Sequence, residues 1–502
     1  MTRTDYIRKN IYTSVGTAVF VFLLGFVNRT FIVKFLGADY LGFNSLFANI
    51  LGILSLSELG IGTVINFSLY EPIAKNETEK IKSLMVLYKK IYLIIAVVVF
   101  SLGIILLPFL HLFCKTDVPM VQIRIYYLFF LFNTGASYFI VYKTAYVSAL
   151  QKEYIVTLFN SISQIYILIV QCIVLFVMKN YIVYLAVQLF FEIMQKISMT
   201  IYINKKFPIL TKKSCKKIER QTVKTLKRNI KASILHQIGG VVVHQTDSII
   251  ISSFISVTVV GVMSNYIMLS SFASKIQGMI FNGMTASLGN LIACEDEKKV
   301  NKIFSEFTFF SFAINGFICC LLFVLSSPFI RLWFGFNYVL NDFTLSLFYL
   351  LIYLQGESLP VHKFKVAGGI FSDDRYVPIV QAIVNIVFSI FFVKIIGLPG
   401  VYLGSILQRL IVVIFWPYLV CKKLLHVSAF AYFFKYILRL FFVVIVCCCL
   451  LWFQRKILFP DSVVTFMQLT VLSVLFYICG FLLFFGREPE LRSILSRVFK
   501  TK

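Results

Sequence analysis

The chain of 502 residues is too apolar and too sparsely charged to be a soluble protein. Hydrophobic residues make up 59% of it and charged residues only 14%, whereas a soluble protein of this length needs more polar surface to cover its core. A net charge of +26 would suggest nucleic-acid binding in a soluble protein. Here the Lys and Arg residues fall between apolar runs, where anionic lipid headgroups are their expected neighbours. Composition therefore predicts a polytopic membrane protein that binds membrane lipids and no nucleic acid.

Fourteen apolar runs follow one another along the chain, each near the ~20 residues that a helix needs to cross a bilayer. They cover residues 11–36, 41–67, 88–112, 121–147, 154–178, 181–203, 232–256, 259–288, 303–333, 342–366, 377–397, 400–421, 436–457 and 462–486. The first run lacks the short apolar core and small-residue cleavage site of a signal peptide, so we interpret it as a retained helix. The predicted fold class is an all-α polytopic membrane protein.

The distribution of basic residues predicts the orientation of these helices. If the N-terminus is cytoplasmic, the inner connections hold about four times as many Lys and Arg residues as the outer ones. We therefore expect both termini on the cytoplasmic side of the membrane.

An internal repeat divides the chain into two halves. The segment "RKNIYTS" at 8–14 matches "KRNIKAS" at 227–233, and the same offset of 219 residues aligns Gly42 with Gly261. Six spans separate the copies, so the halves have parallel topology, as in transporters built from two related bundles. We predict four segments: a six-helix bundle at 1–204, a basic cytoplasmic linker at 205–231, a second six-helix bundle at 232–424, and two additional helices with a tail at 425–502.

Motifs of common catalytic sites are missing from the sequence. It contains no GxxxxGK[ST], HExxH or GxSxG, and no Cys or His spacing typical of a metal site. The acidic clusters "EDE" at 295–297 and "DD" at 373–374 are interpreted mainly as solvated loop charges, with a metal or sugar-nucleotide site as the alternative. The chain is predicted not to be an enzyme.

Charged residues inside apolar runs are the main candidates for a transport site, because lipid does not solvate them. Arg29 lies within the first run, and its neighbour Asn28 aligns with Asp247 across the repeat. We predict that Arg29 faces a hydrated cleft that suits an anionic, membrane-bound cargo. An ion pair with Asp247 or Glu58 is the structural alternative, and snorkelling towards the outer surface is a third interpretation. The predicted cavity residues are Arg29, Asn28, Lys275, Lys143 and Arg409.

Three further residues are predicted to couple transport to an ion gradient. His244 and Asp247 lie one helical turn apart, and a histidine beside a carboxylate can titrate near neutral pH. Glu58 is a carboxylate within the second run. For His244, packing or hydrogen bonding inside the bundle is the alternative interpretation. No cofactor is expected beyond the gradient of H⁺ or Na⁺.

Two polar stripes occupy the fifth and sixth runs. Their members recur at helical spacing and therefore share a face, which must meet another helix or a water-filled cavity. Interhelical hydrogen bonding is the simpler interpretation, and Glu192 and Lys196 are spaced to neutralise each other as an i,i+4 pair. The stripes consist of Asn160, Gln164 and Gln171 in the fifth run and Gln188, Glu192, Gln195 and Lys196 in the sixth.

The N-terminal region, above all "FLGADYLG" at 35–42 and "LSELGIGT" at 56–63, resembles that of bacterial Wzx-type polysaccharide and O-antigen flippases. These belong to the multidrug/oligosaccharidyl-lipid/polysaccharide (MOP) exporter superfamily. The resemblance implies a MATE-like pair of helical bundles around a cavity, whose cationic residues meet the diphosphate of the cargo. It also implies transport of undecaprenyl-diphosphate-linked oligosaccharide for capsule, O-antigen or exopolysaccharide synthesis. A polysaccharide polymerase and glycosyltransferases would then be partners.

Three other functions stay open at this point. A MATE-type drug/cation antiporter would share the fold but would need a cavity dominated by acidic residues. A lipid-linked peptidoglycan-precursor flippase would share both the fold and the anionic diphosphate. A membrane polymerase or ligase would need a large outer loop, and every outer connection here is short.

Overall fold

The computed structural model describes residues 3–55, 61–211, 245–282, 284–370, 373–456 and 460–499. Over these ranges the chain is helical and contains no strand. It divides into two compact units, a first unit of Met1–Gly261 and a second unit of Val262–Lys502. The segment boundaries predicted at 204, 231 and 424 stay predictions, and most of the predicted linker lies outside the described residues.

The first unit contains α1 to α8 and the start of α9. The helices are α1 Arg3–Phe35, α2 Ala38–Leu54, α3 Ile61–Ala74, α4 Thr78–Leu106, α5 Met120–Ala149, α6 Glu153–Met178, α7 Tyr181–Lys206 and α8 245–254. Helix α1 packs along α6, and α7 packs against both α5 and α6. Two clusters of buried aliphatic and aromatic side chains form its core.

The second unit contains the rest of α9 and all later helices. These are α9 Val257–Asn282, α10 Thr285–Cys294, α11 Glu297–Phe334, α12 Asp342–Ala367, α13 Val377–Ile396, α14 Leu398–Val420, α15 Ala429–Lys456, α16 Val463–Phe485 and α17 Pro489–Phe499. The two additional predicted spans correspond to α15 and α16, both of which contact α11. The short amphipathic helix α17 also packs on α11, where Ser493 Oγ donates to Glu306 Oε1 at 2.7 Å.

Eleven helical segments of the described chain are long and apolar enough to cross a membrane, and each corresponds to a predicted span. They are α1, α4 to α7, α9, α11 and α13 to α16. The predicted span 41–67 corresponds to α2 and α3, with residues 56–60 outside the described chain. The predicted span 342–366 is helical over its whole length as α12, and only the last part of 232–256 is described, as α8.

A tight turn joins α6 to α7 and sets these two helices side by side. Lys179 adopts a left-handed conformation with φ 49°, which ends α6. The Asn180 side chain then caps α7 by accepting hydrogen bonds from the amides of Ile182 at 2.8 Å and Val183 at 3.3 Å. Such a cap stabilises a helix by about 1 kcal/mol. The polar stripes predicted in the two helices are thereby carried by one antiparallel hairpin.

Candidate functional site

Asn28 lies buried where α1 meets the α6–α7 hairpin. Its side chain is 3% exposed; Oδ1 accepts a hydrogen bond from the Tyr184 hydroxyl at 3.0 Å, and Nδ2 donates to Cys172 Sγ at 3.7 Å. Arg29 follows in the same helix, is half-buried, and interacts electrostatically with Tyr184. Asn28 therefore holds three helices together, and Arg29 brings a cation to the Tyr184 end of the hairpin.

The two predicted polar stripes line one cavity of about 430 Å³ inside the first unit. Most of its lining side chains are polar, and six of them are amides. The lining residues are Asn44, Phe130, Asn160, Ser163, Gln164, Ile167, Leu168, Gln171, Tyr184, Gln188, Glu192 and Gln195. Both interpretations of the stripes therefore apply, because their members hydrogen-bond across the helices and also enclose a polar space.

A chain of hydrogen bonds runs along the α7 side of the amide-lined cavity. Gln171 Nε2 donates to Gln188 Oε1 at 3.4 Å, and Gln188 Nε2 donates to Glu192 Oε1 at 3.0 Å. Glu192 also pairs with Lys196 at 3.2 Å, and Lys196 Nζ reaches Asn133 Oδ1 at 3.0 Å. The i,i+4 ion pair predicted from the sequence forms, and it neutralises the carboxylate that faces the cavity.

Lys143 lies near the opposite end of the hairpin from Arg29. Its ammonium group is buried and donates to Asn204 Oδ1 at 2.9 Å. Asn204 and Tyr184 are separated by about 30 Å along α7, at 1.5 Å per residue. The structure thus places Asn28 and its chain neighbour Arg29 near Tyr184, and it places Lys143 in a separate environment near the end of α7.

The predicted ion-coupling residues are described only in part. His244 and Glu58 lie outside the described residues. Asp247 is half-buried in α8, and α8 runs beside α2, because a Cβ on Gly52 would lie 3.1 Å from the side chain of Gln245. Asp247 is therefore held inside the first unit, close to the helix that also contributes Asn44 to the cavity lining.

The remaining predicted cations belong to the second unit. Lys275 is exposed on α9. Arg409 on α14 is half-buried, and its guanidinium donates to the carbonyl oxygen of Gln355 at 3.1 Å and to Ser358 Oγ at 2.5 Å. These two bonds fasten α14 to α12, so Arg409 has a clear role in packing.

A buried polar network in the second unit was not predicted. Glu357 on α12 accepts a hydrogen bond from Asn315 Nδ2 at 3.1 Å, and Gln277 Nε2 donates to Asn315 Oδ1 at 3.0 Å. Arg439 on α15 interacts electrostatically with Glu357, and its guanidinium lies 5.4 Å from the ring centre of Phe309. A carboxylate in the middle of the predicted span 342–366 was the available sequence signal.

The two acidic loop clusters differ in burial. Glu295, Asp296 and Glu297 are exposed, in agreement with the interpretation as solvated charges. That interpretation is wrong for Asp374, which is buried, pairs with Lys365, and accepts a hydrogen bond from Trp416 Nε1 at 3.1 Å. Among the described residues, no group of three or more His, Cys, Asp or Glu side chains is placed to hold a metal ion.

Comparison with known proteins identifies a family for this chain. Residues 7–286, more than half of the chain, match the family described as polysaccharide biosynthesis protein. The chain belongs to this family. A search of curated proteins gave no match.

Several solved structures share the fold. The chain is similar to the lipid II flippase MurJ in an inward closed conformation, with 16% identity and a TM-score of 0.62 over 95% of this chain and 99% of that one. It is also similar to an inward-facing multidrug resistance MATE family transporter of the MOP superfamily, at 14% identity and TM-score 0.60 over 78% and 92% of the two chains. The MATE multidrug transporter DinF-BH gives 14% identity and TM-score 0.60 over 84% of this chain and 97% of that one.

These findings confirm the predicted fold class and the membership of a family of polysaccharide biosynthesis proteins. The chain is an all-helical, multi-pass membrane protein with the fold shared by MurJ and the MATE transporters. Its family is the one described as polysaccharide biosynthesis protein.

Proposed function

We propose that the protein is a flippase that moves undecaprenyl-diphosphate-linked oligosaccharide across the bacterial cytoplasmic membrane for surface polysaccharide synthesis. Its family membership supports a lipid-linked cargo from that pathway. The position of Arg29 carries the proposal, because its neighbour Asn28 accepts a hydrogen bond from Tyr184, which lines one end of the amide-lined cavity. A cation at this place neutralises a diphosphate, while the adjoining polar space suits a hydrated cargo that lipid cannot solvate.

The arginine side chain fits the diphosphate better than a lysine would. A guanidinium offers several N–H donors in a fixed plane and forms two parallel hydrogen bonds to phosphate oxygens. Hydrogen bonds to charged groups contribute about 1.5–3 kcal/mol each. The sequence also predicts cargo contacts for Asn28, Lys275, Lys143 and Arg409. Arg29 is the cation next to Asn28, which bonds Tyr184 of the cavity lining, and the other three cations stay secondary candidates.

The direction of transport follows from the basic residues of the sequence. Both termini lie in the cytoplasm under this proposal, so the cargo is loaded there, where glycosyltransferases assemble it on its lipid. It is released at the outer face, where a polysaccharide polymerase consumes it.

The proposal includes coupling to a gradient of H⁺ or Na⁺ through Asp247 in α8. A half-buried carboxylate in the first unit can bind a cation or a proton in one state of the transport cycle and release it in another. Asp247→Asn should abolish the gradient dependence of export while the protein remains in the membrane at normal amounts. If collapse of the gradient still reduced export by Asp247→Asn as much as export by the wild type, this role would be refuted.

The chemistry of the cavity disfavours a drug/cation antiporter. The carboxylate of Glu192 is neutralised by Lys196, and Arg29 adds positive charge at the Tyr184 end. A site for cationic drugs needs an excess of negative charge. A lipid-linked peptidoglycan precursor carries the same diphosphate, so it remains the second candidate cargo.

Substitution of Arg29 tests the proposal. We expect Arg29→Ala to reduce glycan export about 10- to 100-fold, from the loss of one or two charged hydrogen bonds, and Arg29→Lys to restore only part of it. Arg124→Ala is the matched control, because Arg124 is an exposed arginine on α5 of the same unit. Wild-type export by both Arg29 variants, at normal membrane levels, would contradict the proposal. Rescue of a strain that lacks its peptidoglycan-precursor flippase would instead favour the second cargo.

A further inference from the structure

The lining of the amide-lined cavity consists mostly of uncharged polar groups. Its polar lining consists of six amides, two hydroxyl groups and one carboxylate, and the carboxylate is paired with Lys196. Amides offer donors and acceptors together, as sugar hydroxyl groups do. The lining therefore suits an uncharged ligand that exchanges many hydrogen bonds, and it provides no net charge for an ion.

The dimensions and position of the cavity also fit a part of the proposed cargo. The lining residues of α7 run from Tyr184 to Gln195, about 16 Å along the helix. Arg29 marks the Tyr184 end. A diphosphate held there would direct the group attached to it along this row of amides. In a lipid-linked oligosaccharide, that group is the first sugar.

We propose that the amide-lined cavity binds the sugar residues next to the diphosphate and selects for uncharged sugars. This inference rests on the proposed function. Gln164 is the main recognition residue, because its side chain lines the cavity and is exposed there. Gln188 contributes too, but it also donates to Glu192, so its loss disturbs the packing of α7. An acidic sugar would find no basic side chain in the lining to pair with its carboxylate, and the nearby Lys196 is already paired with Glu192.

Binding to the full-length protein in detergent tests this assignment with two probes. One is undecaprenyl diphosphate, and the other is undecaprenyl diphosphate that carries N-acetylglucosamine. Gln164→Leu should weaken binding of the sugar-bearing probe about 3- to 10-fold, the loss expected for one neutral hydrogen bond, and should leave binding of undecaprenyl diphosphate unchanged. Gln164→Asn should retain part of the sugar-dependent affinity.

The control is Gln468→Leu, which removes an exposed amide from α16, outside the cavity lining. It should bind both probes as the wild type does. If Gln164→Leu weakened the binding of both probes equally, or weakened the binding of neither, the assignment of the cavity as a sugar site would be overturned. Failure of the wild type to bind either probe, or unchanged binding by Arg29→Ala, would instead contradict the proposed function. Arg29→Ala should weaken both probes alike.

Discussion

Gly42 and Gly261, which occupy equivalent positions in the internal repeat, pack directly against each other's helices in the first unit. A Cβ on Gly42 would collide with the carbonyl oxygen of Val257, and a Cβ on Gly261 would collide with that of Ala38. Ala38 and Val257 are themselves 219 residues apart, so the contact is reciprocal. The starts of α2 and α9 are therefore related by a local two-fold axis, as expected if the two segments arose from one repeated unit.

Any side chain at these two glycines should separate the helices. We expect Gly42→Ala and Gly261→Ala each to destabilise the protein by about 1–3 kcal/mol, the usual cost of overpacking. Thermal unfolding of the purified protein, followed by fluorescence, measures the effect. Gly16→Ala is the control, because nothing lies within 4 Å of a Cβ at that position. It should leave stability unchanged or raise it slightly, since alanine is the better helix former. Equal effects at all three glycines would contradict the close contact.

A disulfide between the same two segments should block transport. Asp39 and Thr258, again 219 residues apart, hydrogen-bond through their side chains. We expect Asp39→Cys/Thr258→Cys to form an intramolecular disulfide under mild oxidation and to lose export until a reductant is added. The background should carry Cys114→Ala, because Cys114 lies in the connection that also brings Thr116 to Asp39. Each single cysteine variant serves as a control. Full export by the oxidised double variant would mean that this contact need not open.

The buried pair of Lys365 and Asp374 should be strongly coupled. Lys365→Met leaves the Asp374 carboxylate buried without its cation and should cost about 3–5 kcal/mol of stability. Replacement of both residues by apolar side chains should recover most of that loss. The control is the more exposed pair of Lys423 and Asp373, where Lys423→Met should cost less than about 1 kcal/mol. Thermal unfolding measures the loss of stability in each variant. Similar losses for Lys365→Met and Lys423→Met would contradict the stronger coupling of the buried pair.

The attachment of helix α17 should weaken in acid. Burial raises the pKa of Glu490, but hydrogen bonds from Lys435 and Ser305, both at 2.7 Å, outweigh it and lower that pKa to about 2 from its ordinary value of 4.5. Because the folded-state pKa is the lower one, the stabilisation is complete above pH 4.5 and is lost as the pH falls towards 2. Hydrogen exchange of 489–499, corrected for its intrinsic pH dependence, should therefore accelerate below pH 4.5.

The variant Glu490→Gln should exchange rapidly in this helix already at neutral pH, because it removes the charge that Lys435 and Ser305 stabilise. Glu488→Gln is the matched control, since Glu488 precedes α17 and makes neither of these bonds. It should keep the wild-type dependence on pH. A flat exchange profile in the wild type would show that Glu490 does not hold the helix.

The partners of the buried polar groups could not be read from the sequence. The two polar stripes in α6 and α7 were visible at helical spacing, but neither stripe shows that the other faces it. Likewise, Lys143 and Arg29 are both cations in apolar runs, yet one is bonded to Asn204 and the other lies beside Tyr184. The sequence predicts a solvated loop charge at Asp374. In the structure its carboxylate is buried and bonded to Lys365 on α12 and Trp416 on α14.

The membrane class, the positions of the apolar helices, the internal repeat and the resemblance to polysaccharide flippases are all readable from the order of the residues. These are local properties, because a stretch of about 20 apolar residues is helical in lipid whatever surrounds it. Three features became visible in the folded chain alone: the two polar stripes line one cavity, Asn28 bonds Tyr184 of that lining, and Gly42 meets Gly261. These facts depend on which helices are neighbours, and packing between residues far apart in the chain sets that choice.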